Sequence, residues 1–447
     1  MDLVRRKAVA LMVVTLLLVG CAGAGDAPAA TELPPVETAP ASTATMRPTL
    51  APTATSVPAR VPPARPLLLA HFMPWYQTPE VSGYWGWHWT MEHFNPDTVD
   101  AEGHLEIAAY TLPLTGPYDS RDPAILEYQV LLMKLSGIDG VIVDWYGIEV
   151  FWDYGVLNES THALFDSVKA AGLQFAICYE DQSIKHMVDN KHLSSADVYT
   201  HGQDVMRAME TDWFGDDAYL KVGGQPALFT FGPQYFKNAS DWDELFSVLA
   251  VRPAFFTLDG HTESAATAAY PWPPMWASKE GVLSQEALTD YLTGFYAKAQ
   301  KWPVLVGGAF PGFHDIYKDA GVSAEERILD ARDGATFGET LQLALEQQPD
   351  MIQLITWNDY GEDTTIEPTE EYGYRYLEVV QETRRATDPE PFPYTPDDLR
   401  LPFLLFQLRK AHGGDAAVNA ELDTAVAALY QGDVDAARTI LEGYAVP

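Results

Sequence analysis

Continuous apolar runs recur along the chain from residue 66 onward, and amphipathic segments lie between them. Runs without polar alternation are typical of strands covered on both faces, as in a parallel sheet. The intervening segments have the pattern of helices with one buried face. The predicted strands are Leu67–Met73, Gly140–Trp145, Gln174–Tyr179, Ala227–Phe231, Ala254–Leu258, Met275–Ala277, Val304–Gly307 and Met351–Trp357. The predicted helices are Ala124–Leu135, Thr161–Ala171, Val198–Met209, Trp242–Leu249, Gln285–Lys298, Phe337–Gln347 and Tyr372–Arg384.

Eight strands that alternate with helices over about 320 residues have the size and order of a (β/α)8 barrel. A doubly wound open sheet is the alternative, but no glycine-rich phosphate loop follows the first predicted strand. The sequence therefore predicts an α/β TIM-barrel domain over residues 65–390.

The pattern changes in the C-terminal segment, residues 391–447. Two alanine-rich amphipathic stretches, Ala416–Leu429 and Val434–Tyr444, are separated by Gln431-Gly432-Asp433, which is typical of a turn between two helices. A single pair of this kind could be one unit of a helical repeat. We favour the simpler interpretation, a short helical appendage that caps the barrel.

The first 21 residues have the features of a bacterial lipoprotein signal peptide. Three basic residues at positions 5–7 precede a predominantly apolar run of thirteen residues, Ala8–Gly20, which is too short to span a bilayer. The run ends in Leu18-Val19-Gly20-Cys21, which resembles a lipobox, so Cys21 is the predicted lipidation site. The alternative is an ordinary secretory signal followed by a chance cysteine. The prediction is an extracytoplasmic protein held at the cell membrane only by this lipid.

Residues 22–64 contain nine Pro, seven Thr and no aromatic residue. Such a composition cannot bury apolar surface, so the segment is predicted to be a disordered tether.

The charge balance restricts the possible partners. The chain has 28 basic and 63 acidic residues, a formal net charge of −35, which excludes nucleic-acid binding because phosphate backbones would be repelled. Two cysteines, Cys21 and Cys178, exclude a disulfide scaffold and a cysteine-rich zinc site. The eleven histidines show no H-x-x-x-H pair, so no metal and no cofactor are predicted.

Aromatic and acidic residues gather where the predicted strands end, which is the catalytic face of a TIM barrel. A sugar offers an apolar face for aromatic stacking and a rim of hydroxyls for carboxylates and amides, so these residues together predict a carbohydrate cleft and an oligo- or polysaccharide partner. Any one of them could instead be a core residue. The candidates are Trp75, Tyr76, Asp144, Trp145, Tyr179, Glu180, His314, Asp315, Trp357, Asn358 and Glu367.

Three residues of this set have specific alternatives. For His314, a structural role is as well supported as a functional one. Glu367 either bonds sugar hydroxyls or pairs with Arg375, and Asn358 either bonds the substrate or orients Asp359.

Asp359 and Glu362 follow the last predicted strand and are three residues apart. In a turn, this spacing brings both side chains to one side of the backbone. Glycoside hydrolysis needs two carboxyl groups that flank the scissile bond, one of which protonates the leaving oxygen. The pair is therefore the predicted catalytic centre.

The run Thr356-Trp357-Asn358-Asp359-Tyr360-Gly361-Glu362 resembles the signature of glycoside hydrolase family 71, the endo-α-1,3-glucanases. Its continuation, Thr364-Thr365-Ile366-Glu367-Pro368, and the segment Met73-Pro74-Trp75-Tyr76 resemble the related family 99, the endo-α-mannosidases and mannanases. The chain departs from family 99 at Asp359, where that family usually has Glu, and at Tyr360, where it has Trp. Both families are (β/α)8 barrels, and the resemblance spans roughly residues 66–385.

The resemblance implies that Glu362 is the general acid. In family 71, Asp359 would activate a water and the reaction would invert; in family 99, it would deprotonate the 2-hydroxyl of the sugar and the reaction would retain configuration. The shorter Asp359 favours the family 71 route, because inversion needs the wider gap, about 6.5–9.5 Å against about 5–5.5 Å. The first prediction is a monomeric endo-α-1,3-glucanase-like hydrolase. The alternatives are an endo-α-mannosidase-like hydrolase and a non-catalytic glycan-binding lipoprotein.

Overall fold

A computed structural model of the protein describes residues 60–99, 101, 103–260, 262 and 264–444. The predicted signal peptide, the predicted lipidation site Cys21 and the tether up to residue 59 lie outside these residues. Eight parallel strands form the centre of the described part. They are β1 Leu67–Phe72, β2 Gly140–Trp145, β3 Gln174–Tyr179, β4 Gln225–Thr230, β5 Ala254–Leu258, β6 Ala268–Tyr270, β7 Val306–Ala309 and β8 Met351–Leu354.

The strands pair in the order β6-β5-β4-β3-β2-β1-β8-β7, and every neighbouring pair in this order is parallel. The two end strands of the order, β6 and β7, approach each other, so the sheet is a nearly closed barrel. The predicted (β/α)8 TIM barrel is confirmed.

The predicted sixth strand is wrong. Met275–Ala277 forms a single 3-10 turn, and the sixth strand of the barrel is Ala268–Tyr270. Prolines at positions 271, 273 and 274 separate the two segments. Because proline lacks a backbone N–H and has a fixed φ, these residues end the strand at Tyr270 and prevent Met275–Ala277 from joining the ladder.

Twelve α-helices are found in the described residues. They are α1 Trp87–Thr90, α2 Pro123–Ser136, α3 Tyr154–Ala170, α4 Gln182–Asp189, α5 Val198–Met209, α6 Ala239–Phe246, α7 Gln285–Ala299, α8 Ala335–Leu345, α9 Arg375–Thr387, α10 Leu401–Ala411, α11 Ala416–Gln431 and α12 Val434–Glu442. The shorter elements are the strands Lys221–Val222, Phe313–His314 and Ile328–Leu329 and the helical turns Glu210–Phe214, Arg332–Gly334 and Pro396–Arg400.

Helix α2 shows how the local sequence sets the bounds of an element. Asp122 precedes it and accepts a hydrogen bond from the N–H of Ala124, while Pro123 occupies the first helical position, where no N–H is needed. Gly137 ends the helix with φ +89°, a conformation that glycine adopts without strain. The chain then enters β2 directly.

The C-terminal helices pack on the outside of the barrel. Helix α10 lies along α2, where Arg409 bonds Glu127 at 3.1 Å and Lys410 bonds Asp122 at 2.7 Å. Helices α11 and α12 form a hairpin whose turn contains Gly432 with φ +80°. This segment is therefore a helical appendage attached to the barrel by packing and ion pairs.

Packing against the barrel begins before the predicted domain boundary at residue 65. Arg60 donates to the carboxylate of Asp350 at 3.0 Å and to the carbonyl of Gln348 at 2.6 Å. These residues lie just before β8, so the last part of the predicted tether is fixed to the barrel. Among the helices of the described residues, none has the length and apolar character needed to span a bilayer.

Candidate active site

The two predicted catalytic residues lie on the loop that follows β8, at the carboxyl end of the barrel. The N–H of Glu362 donates to Oδ1 of Asp359 at 3.0 Å, and the N–H of Asp359 donates to Oγ1 of Thr356 at 2.8 Å. These bonds fold Thr356–Glu362 into a tight turn. Asp359 is 4% exposed, whereas Glu362 is partly exposed, so Glu362 is the more accessible of the two residues.

Asn358 fixes this loop to the end of β1. Its Oδ1 accepts from the N–H of Met73 at 2.8 Å, and its Nδ2 donates to the carbonyl of Met73 at 3.0 Å. Nδ2 also bonds the hydroxyl of Tyr118 at 3.0 Å, and the hydroxyl of Tyr76 donates to the carbonyl of Asn358 at 2.8 Å. All its amide atoms are thus engaged inside the protein. Of the two roles considered for Asn358, the contacts support orientation of the catalytic loop.

Glu367 accepts three hydrogen bonds inside the protein. The donors are the hydroxyls of Tyr118 and Tyr360 and the side-chain amide of Gln129, each at 2.8 Å. Glu367 is 2% exposed, and Arg375 bonds Asp333 instead of Glu367. These contacts support neither of the two roles considered from the sequence, sugar binding or pairing with Arg375. Glu367 instead joins Gln129 of α2 to Tyr360 of the catalytic loop.

The carboxyl groups of the site perturb one another. Burial raises the pKa of Asp359 to about 7, and the charge of Asp144 adds to that rise, whereas the N–H of Glu362 opposes it. Burial also raises the pKa of Glu362 well above its usual range, with a further rise from Asp359, while Arg327 lowers it. A carboxylic acid that keeps its proton near neutral pH is what general acid catalysis needs.

Two more buried carboxyl groups belong to this acidic cluster: Asp144 lies in β2, and Glu180 directly follows β3. Burial raises the pKa of Asp144 to about 8 and that of Glu180 well above its usual range, and the charge of Asp144 adds to the second shift. Oδ1 of Asp144 is buried and has no hydrogen-bond partner. The charge of Asp144 acts on Asp359 and that of Glu362 acts on Glu180, so both residues lie near the catalytic pair, and their substrate-binding role stays a prediction.

Two predicted substrate-binding residues do not face the barrel interior. Trp145 donates from Nε1 to Asn158 of α3 at 2.9 Å and packs on Trp213, and Tyr179 packs beside it with no exposed surface. Side chains alternate along a strand, so Asp144 points inward and Trp145 points towards the helices. The prediction that Trp145 and Tyr179 line the cleft is therefore not supported by their positions.

Trp75 and Tyr76 follow β1, and Trp357 follows the neighbouring strand β8. The indole of Trp75 is stacked on the ring of His88, with centroids 4.1 Å apart and planes 4° apart. Tyr76 is 1% exposed and packs against Trp89, and Trp357 has no exposed surface. Of these three, Trp75 is the most exposed, at 8%, and the other two are core residues beneath the catalytic loop.

His314 and Asp315 lie on a short hairpin against the catalytic loop. The N–H of His314 donates to the carbonyl of Glu362 at 2.9 Å, and its ring stacks on Tyr110 and bonds Glu326. Asp315 is fully buried and accepts from Nε of Arg327 at 2.7 Å. Both residues are engaged by protein groups, so the structure gives them supporting positions.

Two contributions to the site were missed by sequence reasoning. Arg327 is the cation that lowers the pKa of Glu362, yet its loop position follows no recognisable spacing. His71 lies in β1, and one ligand atom from each of His71, Asp144 and Cys178 falls within 4.8 Å of the others. In the sequence, His71 stands out as a polar residue within an apolar strand. Its neighbours Asp144 and Cys178 lie in β2 and β3, and the spacing along the chain does not show that they approach it. The prediction of no metal site stays a prediction, and this grouping is the observation that bears on it.

Comparison with known proteins identifies the family. The model of a family described as Glycosyl hydrolase family 99 matches residues 65–383, which is most of the chain. The chain belongs to glycosyl hydrolase family 99. This family 99 protein is therefore a glycoside hydrolase.

Relatives of this family 99 protein include a glycoprotein endo-alpha-1,2-mannosidase-like protein of Homo sapiens, 23% identical over 334 residues, or 67% of this chain and 68% of the relative. A glycoprotein endo-alpha-1,2-mannosidase of Rattus norvegicus is 21% identical over 339 residues, or 69% of each chain. A solved structure of the GH99 endo-alpha-mannosidase from Bacteroides thetaiotaomicron has a TM-score of 0.51 and 19% identity, and covers 72% of this chain and 98% of that chain. At this identity the likeness shows a shared fold.

Proposed function

We propose that this family 99 protein hydrolyses internal α-mannosidic bonds of a glycan. The comparisons support this alternative better than the endo-α-1,3-glucanase predicted first, since the matching family model is that of family 99 and the relatives named above are endo-mannosidases or resemble them. The observation that carries the catalytic part is the turn in which the N–H of Glu362 bonds the carboxylate of Asp359. It brings two perturbed carboxyl groups to one edge of the barrel.

Glu362 acts as the general acid in this proposal. It is partly exposed, its raised pKa favours the protonated acid, and no side-chain hydrogen bond from another described residue engages its carboxyl group. It can therefore give its proton to the departing glycosidic oxygen.

Asp359 acts as the base. The N–H of Glu362 orients the Asp359 carboxylate, which would accept a proton from the substrate. In family 99, as the resemblance implies, that proton comes from the 2-hydroxyl of the sugar. We therefore propose a retaining reaction, and nuclear magnetic resonance of the first product should show the α-anomer. The β-anomer as first product would instead mean that Asp359 activates water.

The experiment compares α-mannan and α-1,3-glucan as substrates, with the variants Glu362→Gln and Asp359→Asn. The protein should cleave mannan, and Glu362→Gln should lower that activity ~10²-fold or more, the scale of lost general acid catalysis. An aryl mannoside with an activated leaving group needs little protonation, so Glu362→Gln should hydrolyse it almost normally. Asp359→Asn should impair both substrates.

The matched control is Glu370→Gln, since Glu370 is an exposed carboxylate eight residues further along the same loop. It should leave both activities unchanged. Equal losses of the two activities in Glu362→Gln would place the acid elsewhere, with Glu180 the next candidate. Glycan binding without turnover by the unaltered protein would favour the non-catalytic lipoprotein, and cleavage of glucan alone would favour the first prediction.

We further propose that the enzyme is attached outside the cytoplasmic membrane through a lipid on Cys21. The support is the basic and apolar pattern of residues 1–21 and the aromatic-free segment that follows. Cys21→Ser should move the protein from the membrane fraction to the soluble fraction. A variant that stays with the membrane would contradict this anchor.

A further inference from the structure

Three side chains that commonly bind metal ions meet inside the barrel, below the catalytic loop. His71 on β1, Asp144 on β2 and Cys178 on β3 are each at most 3% exposed. One ligand atom from each lies within 4.8 Å of the other two. Asp144 and Cys178 are opposite each other in the register of β2 and β3, so their approach is fixed by the sheet.

The spacing leaves room for one ion. If three atoms are at most 4.8 Å apart, a point exists within about 2.8 Å of all of them. Zinc bonds are about 2.3 Å to sulfur and about 2.0–2.2 Å to nitrogen and oxygen. Side-chain movements of roughly half an ångström would therefore bring all three atoms to normal bonding distance.

The charges and contacts around the cluster also favour a cation. Oδ1 of Asp144 is buried and has no hydrogen-bond partner, which is costly for a carboxyl group unless something binds it. The ring of His71 is held from one side by the amide of Gln353 at 2.5 Å and packs against Trp272. Oε1 of Gln353 is buried without a partner. With that amide turned over, Oε1 would accept from Nδ1–H of His71, the contact that commonly holds a histidine ligand and leaves Nε2 for the ion.

We propose that His71, Asp144 and Cys178 form a binding site for one zinc-class divalent ion. A thiolate, an imidazole and a carboxylate suit Zn²⁺ or Co²⁺, whereas Mg²⁺ and Ca²⁺ prefer sites made only of oxygen atoms. A divalent ion would balance the negative charges of the thiolate and the carboxylate. Three protein ligands leave the fourth position of a tetrahedral ion open.

The test uses Co²⁺ as a spectroscopic probe with the full chain carrying Cys21→Ser, so that Cys178 is the only thiol. Excess Ca²⁺ is present to occupy oxygen-only sites on the acidic surface. One equivalent of Co²⁺ should produce a near-ultraviolet thiolate-to-cobalt charge-transfer band together with visible bands of a four-coordinate ion. Zn²⁺ should displace the cobalt and abolish both sets of bands.

Variants assign the ligands. Cys178→Ser should remove the charge-transfer band, and Asp144→Asn and His71→Phe should each weaken Co²⁺ binding at least tenfold. The control is His162→Ala, because His162 lies near Asp212 in an exposed pair on the surface; its spectrum should match that of the parent chain. Absence of a thiolate band in the parent chain would overturn the proposal, as would a band that survives Cys178→Ser. Because binding is measured directly, this result is independent of whether the protein cleaves mannan.

Discussion

Glu367→Gln should make the stability of the protein less sensitive to a rise in pH from acidic to neutral values. Burial raises the pKa of Glu367 to about 7, although hydrogen-bond donors to its carboxylate oppose that rise. The ordinary pKa of Glu is about 4.3, so the native state holds this proton over a pH range in which the unfolded chain has lost it. The free energy of unfolding therefore falls as the pH rises from about 4 through about 7, and levels off above that.

The magnitude follows from the two pKa values. A difference of about 2.7 between them corresponds to a full loss of about 3.7 kcal/mol, of which about 2.5 kcal/mol falls between pH 5 and pH 8. Gln carries no charge at either pH and keeps one oxygen to accept a hydroxyl. Between these two pH values, the Glu367→Gln variant should therefore lose about 2.5 kcal/mol less stability than the unaltered protein.

The assay is the melting temperature of both chains at pH 5 and pH 8. With about 2.1 cal/mol/K of unfolding entropy per residue and roughly 380 folded residues, 2.5 kcal/mol corresponds to about 3 °C. The control is Glu382→Gln, since Glu382 is exposed on α9 and remains in water in both states. Equal pH shifts of the melting temperature in Glu367→Gln and the unaltered protein would refute the assigned titration.

Two substitutions test the anchoring of the site, and one deletion tests the N-terminal segment. Asn358→Ala leaves the buried backbone N–H and carbonyl of Met73 without partners, so the free energy of unfolding should fall by about 3 kcal/mol or more and mannan turnover should drop. An unchanged melting temperature would contradict the anchoring role. Arg327→Met should cost about 3–5 kcal/mol because it leaves the buried Asp315 unpaired, and adding Asp315→Asn should restore part of the loss. Deleting residues 22–59 should leave the melting temperature unchanged, whereas a large drop would mean that this segment packs on the barrel.

The fold class could be predicted from the sequence because strand and helix patterns are local. Seven of the eight barrel strands coincide with predicted apolar runs to within a few residues. The exception is Met275–Ala277, where apolar composition suggested a strand but the preceding prolines decided otherwise. The position of Asp359 and Glu362 at the catalytic face could also be predicted from the sequence, because the carboxyl ends of all strands in a parallel barrel lie at one face.

The face on which a strand residue lies was not predicted correctly for Trp145 and Tyr179. A strand covered on both sides is apolar at every position, so its sequence does not show which residues point inward. The register of the paired strands decides which side chains point into the barrel, and it places those of Asp144 and Cys178 inside.

The tertiary structure alone decided which groups support and perturb the catalytic pair. Glu367 meets Tyr118 and Gln129 across more than 200 residues of chain, and Arg327 approaches the site from a loop without any motif. Electrostatic shifts and buried hydrogen bonds depend on distance in space and on exclusion of water, and neither is encoded in local spacing. The sequence by itself therefore determined the barrel and its two carboxylates, whereas closure of the barrel determined their environment.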